Sequence, residues 1–359
     1  MDAHPEVTRH LLACSENGVG SLVWADPGTG KTRLGLESMR EVGVKHLAVA
    51  VPSQTLAKQW RKEADKWGIE FDELRLLTPS CHEDEWFEPC LPDGVIFDES
   101  HTCRNATKRN PEYGRWYDLI CHASKCAKFA QALTATPAVM GIGDLAAQML
   151  YLGWHDLWPR LADGSLDDAD LRWVLTESYT PAPAVRVVAE GMPRIETKWV
   201  TYEVNTYHYS NLTDHLYLAK LDATLQAARE YGIDRTPKCV ISTARRRTAE
   251  ALVERFGEQQ VAIVDGKQDE RERFIKDPNC RIAAVSVYKA TGLDGLQVAD
   301  TVIVSDWPWH GAGWHQFVGR IRRRNSPHSV LTGIYVNVKS SYDDEHWSER
   351  LEPRMKFIQ

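Results

Sequence analysis

The chain has 359 residues, 43% of them hydrophobic and 26% charged, with a formal net charge of −7. That balance is globular and excludes a mainly disordered chain, and the length suits two domains of ordinary size, each with its own core. No apolar run approaches the roughly 18 residues a membrane helix requires and the opening MDAHPEVTRH has no signal-peptide core. The expectation is therefore a cytoplasmic protein, of a bacterium or a host cell, with no membrane partner.

In chain order, the first predicted strand is SLVWA (21–25), followed by DPGTG and a helix over KTRLGLESMREVG. Gly28 and Gly30, on either side of Thr29, let successive backbone N–H groups curl around an anion. Lys31 then reaches the β- and γ-phosphates of a nucleoside triphosphate, and the Thr32 hydroxyl helps hold Mg²⁺. The helix N-terminus faces the same phosphates. The strict loop pattern has a glycine where Ala25 stands, so GTGKT is the looser form.

HLAVAVP reads as the second strand, with SQTLAKQWRKEADKW after it as a helix placing Leu56, Trp60 and Ala64 on one face. DGVIFDES is a strand ending in Asp98 and Glu99. Downstream of a phosphate loop, Asp98 suits Mg²⁺ and Glu99 suits orienting or activating the attacking water. KFAQALTATP ends the next strand with the hydroxyls of Thr134 and Thr136, suited to sensing a γ-phosphate. This alternation predicts an α/β fold, a parallel sheet covered by helices, with the ligand loops at the carboxyl ends of the strands.

From about 138 to 205 the rhythm breaks into a helical, proline-marked stretch. The predicted division is 1–195, with a helical insertion at about 140–195, and 196–359. The second half repeats the α/β rhythm. Its strands are KCVISTA, VAIVDG, RIAAVSVY, DTVIVSD and LTGIYVNV, and its helices RRRTAEALVERFG and WHQFVGRIRRR. The last helix would carry Arg320 and Arg323 on one face, positive charge from a second domain for a phosphoryl-transfer transition state. The basic clusters ARRRTAE and GRIRRRN supply local positive potential that the net charge hides.

The eight cysteines form no C-x₂-C pair. CHEDEWFEPC and CHASKC bring Cys and His close in sequence, yet their spacing matches no common zinc knuckle, so reduced thiols and no structural zinc are expected.

The order GTGKT, DESH (a DEAH-like box), TATP and Q-x-x-G-R-x-x-R resembles the superfamily 2 helicases and translocases. Within them the chain is most similar to the Swi/Snf-type (sucrose-non-fermenting) DNA-translocating ATPases. The finer likeness lies in VPSQTLAKQWRKEADKW, DESHTCRN, YSNLTDHLYLAKL and ATGLDGLQVADTVIVSDWPWHGAGWHQFVGRIRRRN. The resemblance implies two tandem RecA-like lobes with the nucleotide cleft between them, and ATP and Mg²⁺ as cofactors. It implies that Gln316 acts beside Arg320 and Arg323, and that Thr134, Thr136, Gly292 and Asp294 couple hydrolysis to movement. It also implies that Ser53 and Gln54, with Ser242 and Thr243, touch nucleic-acid backbone phosphates without reading sequence.

One departure is that no Gln precedes residue 31, where the family carries its adenine-reading Gln. The preference for ATP is thus implied by the resemblance alone. The expected function is an ATP-driven translocase, a minimal phage- or bacterial-type motor, acting on duplex or forked DNA in replication, recombination or repair. A replication or recombination protein is the kind of partner it would meet. The alternatives are a strand-separating DNA or RNA helicase and a nucleotide-gated ATPase subunit active only within a larger assembly.

Overall fold

The computed structural model describes residues 4–88, 90–105, 111–137, 143–162, 168–189, 191–202, 212–287, 295–306, 317–323 and 325–338. The chain divides into two compact units, one up to Ala189 and one running from residue 190.

The first unit contains α1 (Pro5–Glu16), β1 (Ser21–Ala25), α2 (Lys31–Glu41), β2 (His46–Ala50), α3 (Gln54–Trp67), β3 (Glu73–Leu77) and α4 (Asp84–Phe87). It continues with β4 (Gly94–Asp98), α5 (Pro111–Cys126), β5 (Phe129–Thr134), α6 (Gly143–Tyr151), α7 (Leu157–Ala162), α8 (Asp168–Thr176) and β6 (Ala184–Val187). The six strands are all parallel, in the order β3-β2-β4-β5-β1-β6. Their near-continuous apolar character follows from burial on both faces. Leu22, Ala48, Val95 and Ala132 point into one core, while their neighbours Val23, Val49, Ile96 and Leu133 point into the other. α1, α2 and α3 cover the second core; α5 to α8 cover the first.

Gly35 explains how closely α2 approaches this sheet. A Cβ there would stand 2.9 Å from Leu133 Cδ1, 3.1 Å from Ile96 Cδ1 and 3.2 Å from the Trp60 ring. Gly35→Val is therefore expected to destabilise the first unit by roughly 2 kcal/mol through overpacking. A lowered urea midpoint with an unchanged slope would show it; a midpoint equal to wild type would mean that α2 lifts away at no cost.

The second unit contains β7 (Arg194–Tyr202), α9 (Leu212–Ala227) running into a π-helical turn, β8 (Cys239–Thr243), α10 (Arg246–Phe256), β9 (Val261–Val264) and α11 (Arg271–Lys276). β10 (Ile282–Ser286), β11 (Thr301–Val304) and β12 (Val330–Val338) complete it. Its sheet is also six-stranded and parallel, ordered β7-β12-β11-β8-β10-β9. Val240, Ala283 and Val302 face one core, and Ile241, Ala284 and Ile303 the other.

Three strands, β3, β6 and β7, were not among those expected from sequence, and each has a physical reason. β3 (ELRLL) buries Arg75, whose guanidinium donates to the carbonyls of Trp86 at 2.9 Å and Cys90 at 2.7 Å. β6 (AVRV) lies within the stretch expected to be a helical insertion, which otherwise holds α6, α7 and α8. It pairs with β1 and carries Arg186. Among the described residues β7 (RIETKWVTY) pairs only with β12, and its charged side chains are exposed. An arginine inside a sheet is tolerable when carbonyls or carboxylates receive its N–H groups, and no apolar periodicity announces that.

Among the described residues no helix is long and apolar enough to cross a membrane. Cys14, Cys81, Cys90, Cys121, Cys126, Cys239 and Cys280 are free thiols. Cys90, His46 and Glu73 bring ligand atoms within 4.8 Å of one another. There the Arg75 guanidinium already donates to Glu73 Oε2 at 2.6 Å and Cys90 Sγ at 3.3 Å, and it holds the Glu73 carboxyl below its ordinary value.

Candidate functional site

The site is built at the carboxyl ends of β1, β4 and β5. After β1 the chain passes Gly28 and Gly30 at φ +85° and +81°, a left-handed conformation that glycine adopts without steric cost. Thr29 closes the turn, its N–H and hydroxyl donating to Asp26 O at 3.3 and 2.8 Å. The Asp26 carboxylate is held in turn by Arg186 of β6 and by the Ala189 N–H. α2 then starts at Lys31, and no side chain caps its first turn. Its first N–H groups therefore face an anion site with the positive end of the helix dipole behind them. A Cβ at Gly30 would meet nothing within 4 Å, so the loop is open at that point. These residues fit the phosphates of a nucleotide.

Parallel pairing sets Trp24 beside Thr134 and Asp98 beside Leu133, which brings the phosphate loop, the acid pair and the TATP segment to one sheet edge. Asp98 is 7% exposed. Its Oδ2 accepts from the Trp60 indole N–H at 2.8 Å and its Oδ1 from the Glu99 N–H at 2.9 Å. Burial pushes the Asp98 carboxyl up to about 6 and the adjacent Glu99 carboxylate adds to the rise, while Trp60 and the charge of Lys31 oppose it. Lys31 thus acts on Asp98 electrostatically. A buried, under-neutralised carboxylate beside an anion-binding loop fits a divalent cation carried by that anion.

Glu99 has φ +48°, the one non-glycine residue with positive φ among the described residues, a conformation costing on the order of 1 kcal/mol. Its Oε2 is buried without a hydrogen-bond partner, and His101 Nδ1 lies 3.5 Å away. His101 Nδ1 also lies 3.1 Å from the Thr134 hydroxyl, which accepts the Thr136 N–H at 3.1 Å. Glu99 is therefore continuous, through His101, with Thr134 and Thr136. The Thr136 hydroxyl is buried with no partner of its own.

Three residues of this site were not assigned roles from sequence. Arg186 pins the start of the loop, and Trp60 holds Asp98. Gln148 of α6, fully buried, accepts from the Ser100 hydroxyl at 2.6 Å and donates to Pro137 O at 2.7 Å, tying the DESH turn to the end of TATP. The one signal for Gln148 is an amide inside the apolar run DLAAQMLYL; a buried amide needs partners, but sequence does not say which.

Ser53 caps α3, its hydroxyl accepting from Leu56 N at 3.4 Å, and Gln54 donates to the Thr78 hydroxyl at 3.0 Å; both residues are exposed. In the second unit Ser242 and Thr243 are 1% and 3% exposed. Ser242 is engaged within the fold, accepting from Ser305 N at 3.0 Å and donating to Asp306 O at 3.2 Å. Thr243 lines a cavity of about 330 Å³ together with Arg245, Arg246, Asp265, Lys267 and Ser286.

Arg320 and Arg323 correct the helix expected over WHQFVGRIRRR. Phe317 and Val318 are helical, but Gly319 to Ile321 form a turn, so the two arginines do not share a helical face. Arg320 N bonds to Phe317 O and Ile321 N to Val318 O, closing the turn while Phe317, Val318 and Ile321 bury into the core. Gln316, Gly292 and Asp294 lie outside the described residues.

No family model and no curated protein matches this chain. Among solved structures it is similar to the crystal structure of the DUF1998 helicase MrfA bound to DNA, with a TM-score of 0.60 at 14% sequence identity. The likeness covers 98% of this chain and 48% of that one, so the chain spans about half the length of the helicase. At that identity the likeness speaks for the fold alone, and with the two parallel sheets it leads to one conclusion: the chain folds as two tandem RecA-like α/β units.

Proposed function

We propose that the chain is an ATP-hydrolysing motor that moves along duplex or forked DNA, of the Swi/Snf type its motifs resemble. One observation carries the reading. An uncapped helix start behind a two-glycine loop shares a sheet edge with a buried Asp98 that Lys31 acts on electrostatically, next to a Glu99 oxygen with no hydrogen-bond partner. The fold-level likeness to a helicase crystallised on DNA supports the same reading.

In this mechanism the N–H groups at the start of α2 and the Lys31 ammonium would bind the phosphates, and Thr32 and Asp98 would hold the cation. Mg²⁺ bound with the nucleotide would offset charge on the phosphate oxygens. Glu99 orients the attacking water and takes its proton. His101, Thr134 and Thr136 pass the state of that carboxylate to the TATP segment, where coupling to movement begins. The motif resemblance gives Arg320 and Arg323 the role of positive charge toward the transferring phosphoryl group, and Gln316 a neutral hydrogen-bonding role beside them. The basic cavity of Thr243, Arg245, Arg246 and Lys267 offers backbone-phosphate contacts better than the buried Ser242 does, and Gly292 and Asp294 keep their proposed coupling role.

The test is steady-state ATP hydrolysis without nucleic acid and with single-stranded, duplex and forked DNA and RNA, against Lys31→Ala. The expected result is stimulation chiefly by duplex or forked DNA, abolished in the variant. Preference for a single strand or RNA would reassign the chain as an unwinding helicase. No turnover under any condition would overturn the autonomous motor and leave a subunit active only in an assembly.

A further inference from the structure

Trp60 sits midway along α3, fully buried, in the core formed by Ile96 and Leu133. Packing alone accounts for its ring but not for its indole N–H, which meets Asp98 Oδ2 at 2.8 Å. Trp86 is equally buried in the same unit, and its indole nitrogen has no hydrogen-bond partner. A core tryptophan of this unit thus needs no partner, and Trp60 has one at the carboxylate assigned to the cation.

The other end of the connection is α3 itself. The helix has 14 residues, is capped by Ser53 and closes on Gly68 at φ +57°, so it is braced at both ends. Its start presents Ser53 and Gln54 to solvent. The Trp60 ring also lies where a Cβ on Gly35 of α2 would come within 3.2 Å, one turn beyond Thr32. One side chain therefore touches the helix behind the phosphate loop and the cation-holding acid, and it belongs to the helix whose first turn is the candidate nucleic-acid contact.

We propose that Trp60 is a positioning residue that couples the exposed start of α3 to the Asp98 carboxylate, so that nucleic acid engaged at Ser53 and Gln54 alters how Asp98 is held. This rests on the function proposed above. A carboxylate has about four lone-pair sites; Trp60 and the Glu99 N–H each take one, fixing its plane and leaving the remainder for a cation. A braced helix moves as a unit, so a shift of its first turn carries the indole with it.

The test compares Trp60→Phe with Trp86→Phe in the full chain, with Trp60→Tyr as a second variant should Phe fold poorly. Both Phe variants remove the same bulk from a buried site, but only Trp60→Phe removes a hydrogen bond to the carboxylate. The Mg²⁺ concentration for half-maximal binding of a fluorescent ATP analogue is expected to rise about tenfold in Trp60→Phe, the scale of one lost charge-assisted bond, and to stay at the wild-type value in Trp86→Phe. In wild type, the indole N–H resonance that disappears in Trp60→Phe is expected to shift when duplex DNA is added without nucleotide. An unchanged or lower Mg²⁺ midpoint, equal behaviour of the two Phe variants, or a resonance indifferent to DNA overturns the proposal. Wild-type hydrolysis that no nucleic acid stimulates would defeat the motor reading instead, while the Mg²⁺ midpoint still reports on Trp60.

Discussion

Glu99→Gln is expected to lower kcat for ATP hydrolysis at least ~100-fold, the scale of a lost general base, with nucleotide affinity near that of wild type. Glutamine keeps the size and shape of the side chain and removes its capacity to take a proton. The structure makes this carboxylate the sensitive one. Its Oε2 is buried without a hydrogen-bond partner, it is presented by strained backbone at φ +48°, and it is linked through His101 to Thr134. Single-turnover hydrolysis and direct nucleotide binding separate the two effects. Equal losses in binding and turnover would contradict the role given to Glu99, because they would place it in holding the nucleotide.

Asp98→Asn is expected to stop Mg²⁺-dependent hydrolysis and to stabilise the nucleotide-free protein at neutral pH. The sign follows from linkage. The folded protein holds the Asp98 carboxyl at about 6, above its ordinary value of 3.8, because burial and the Glu99 carboxylate disfavour the charged form. The folded state therefore binds this proton more tightly than the unfolded chain does. The stability this contributes is fully present below 3.8 and is lost as pH rises through about 6. At pH 7.5 the ionised carboxyl costs the fold on the order of 2–3 kcal/mol, which asparagine avoids while its carbonyl can still accept the Trp60 N–H. For a unit of this size the melting temperature should rise by about 5 °C, with a smaller gain at pH 5. A gain equal at both pH values would mean that ionisation is not its source. The acid is thus held at a cost to stability that a bound cation would offset, a common arrangement where function needs buried charge.

The sequence alone determined the parts whose physics is local. A phosphate loop needs glycines and an adjacent Lys and Thr, and GTGKT carries them in five consecutive residues. Asp98 and Glu99 closing an apolar strand, and the run LTATP closing the next, were legible because polar residues ending a buried strand stand out against it. The α/β class and nine of the twelve strands among the described residues were legible for the same reason: strands buried on both faces are apolar throughout.

Tertiary structure decided what depends on partners distant in the chain. Arg75 and Arg186 belong to strands because carbonyls and carboxylates elsewhere receive their guanidinium groups. Gly35, a helix-weakening residue in sequence, is required because α2 closes on Leu133, Ile96 and Trp60. A turn at Gly319 to Ile321 stands where a helix was expected, although Phe317, Val318 and Ile321 enter one core at a spacing that a helix would also give, so apolar spacing does not tell the two apart. Ser242 reads as a surface hydroxyl in ISTARRR, yet the end of β11 covers it. Trp60, legible as the apolar face of a helix, gained its second role only when β4 brought Asp98 within 2.8 Å of its indole N–H. Apolar periodicity is written in neighbouring residues, whereas the satisfaction of a buried donor or charge is settled by whichever strand the fold sets beside it.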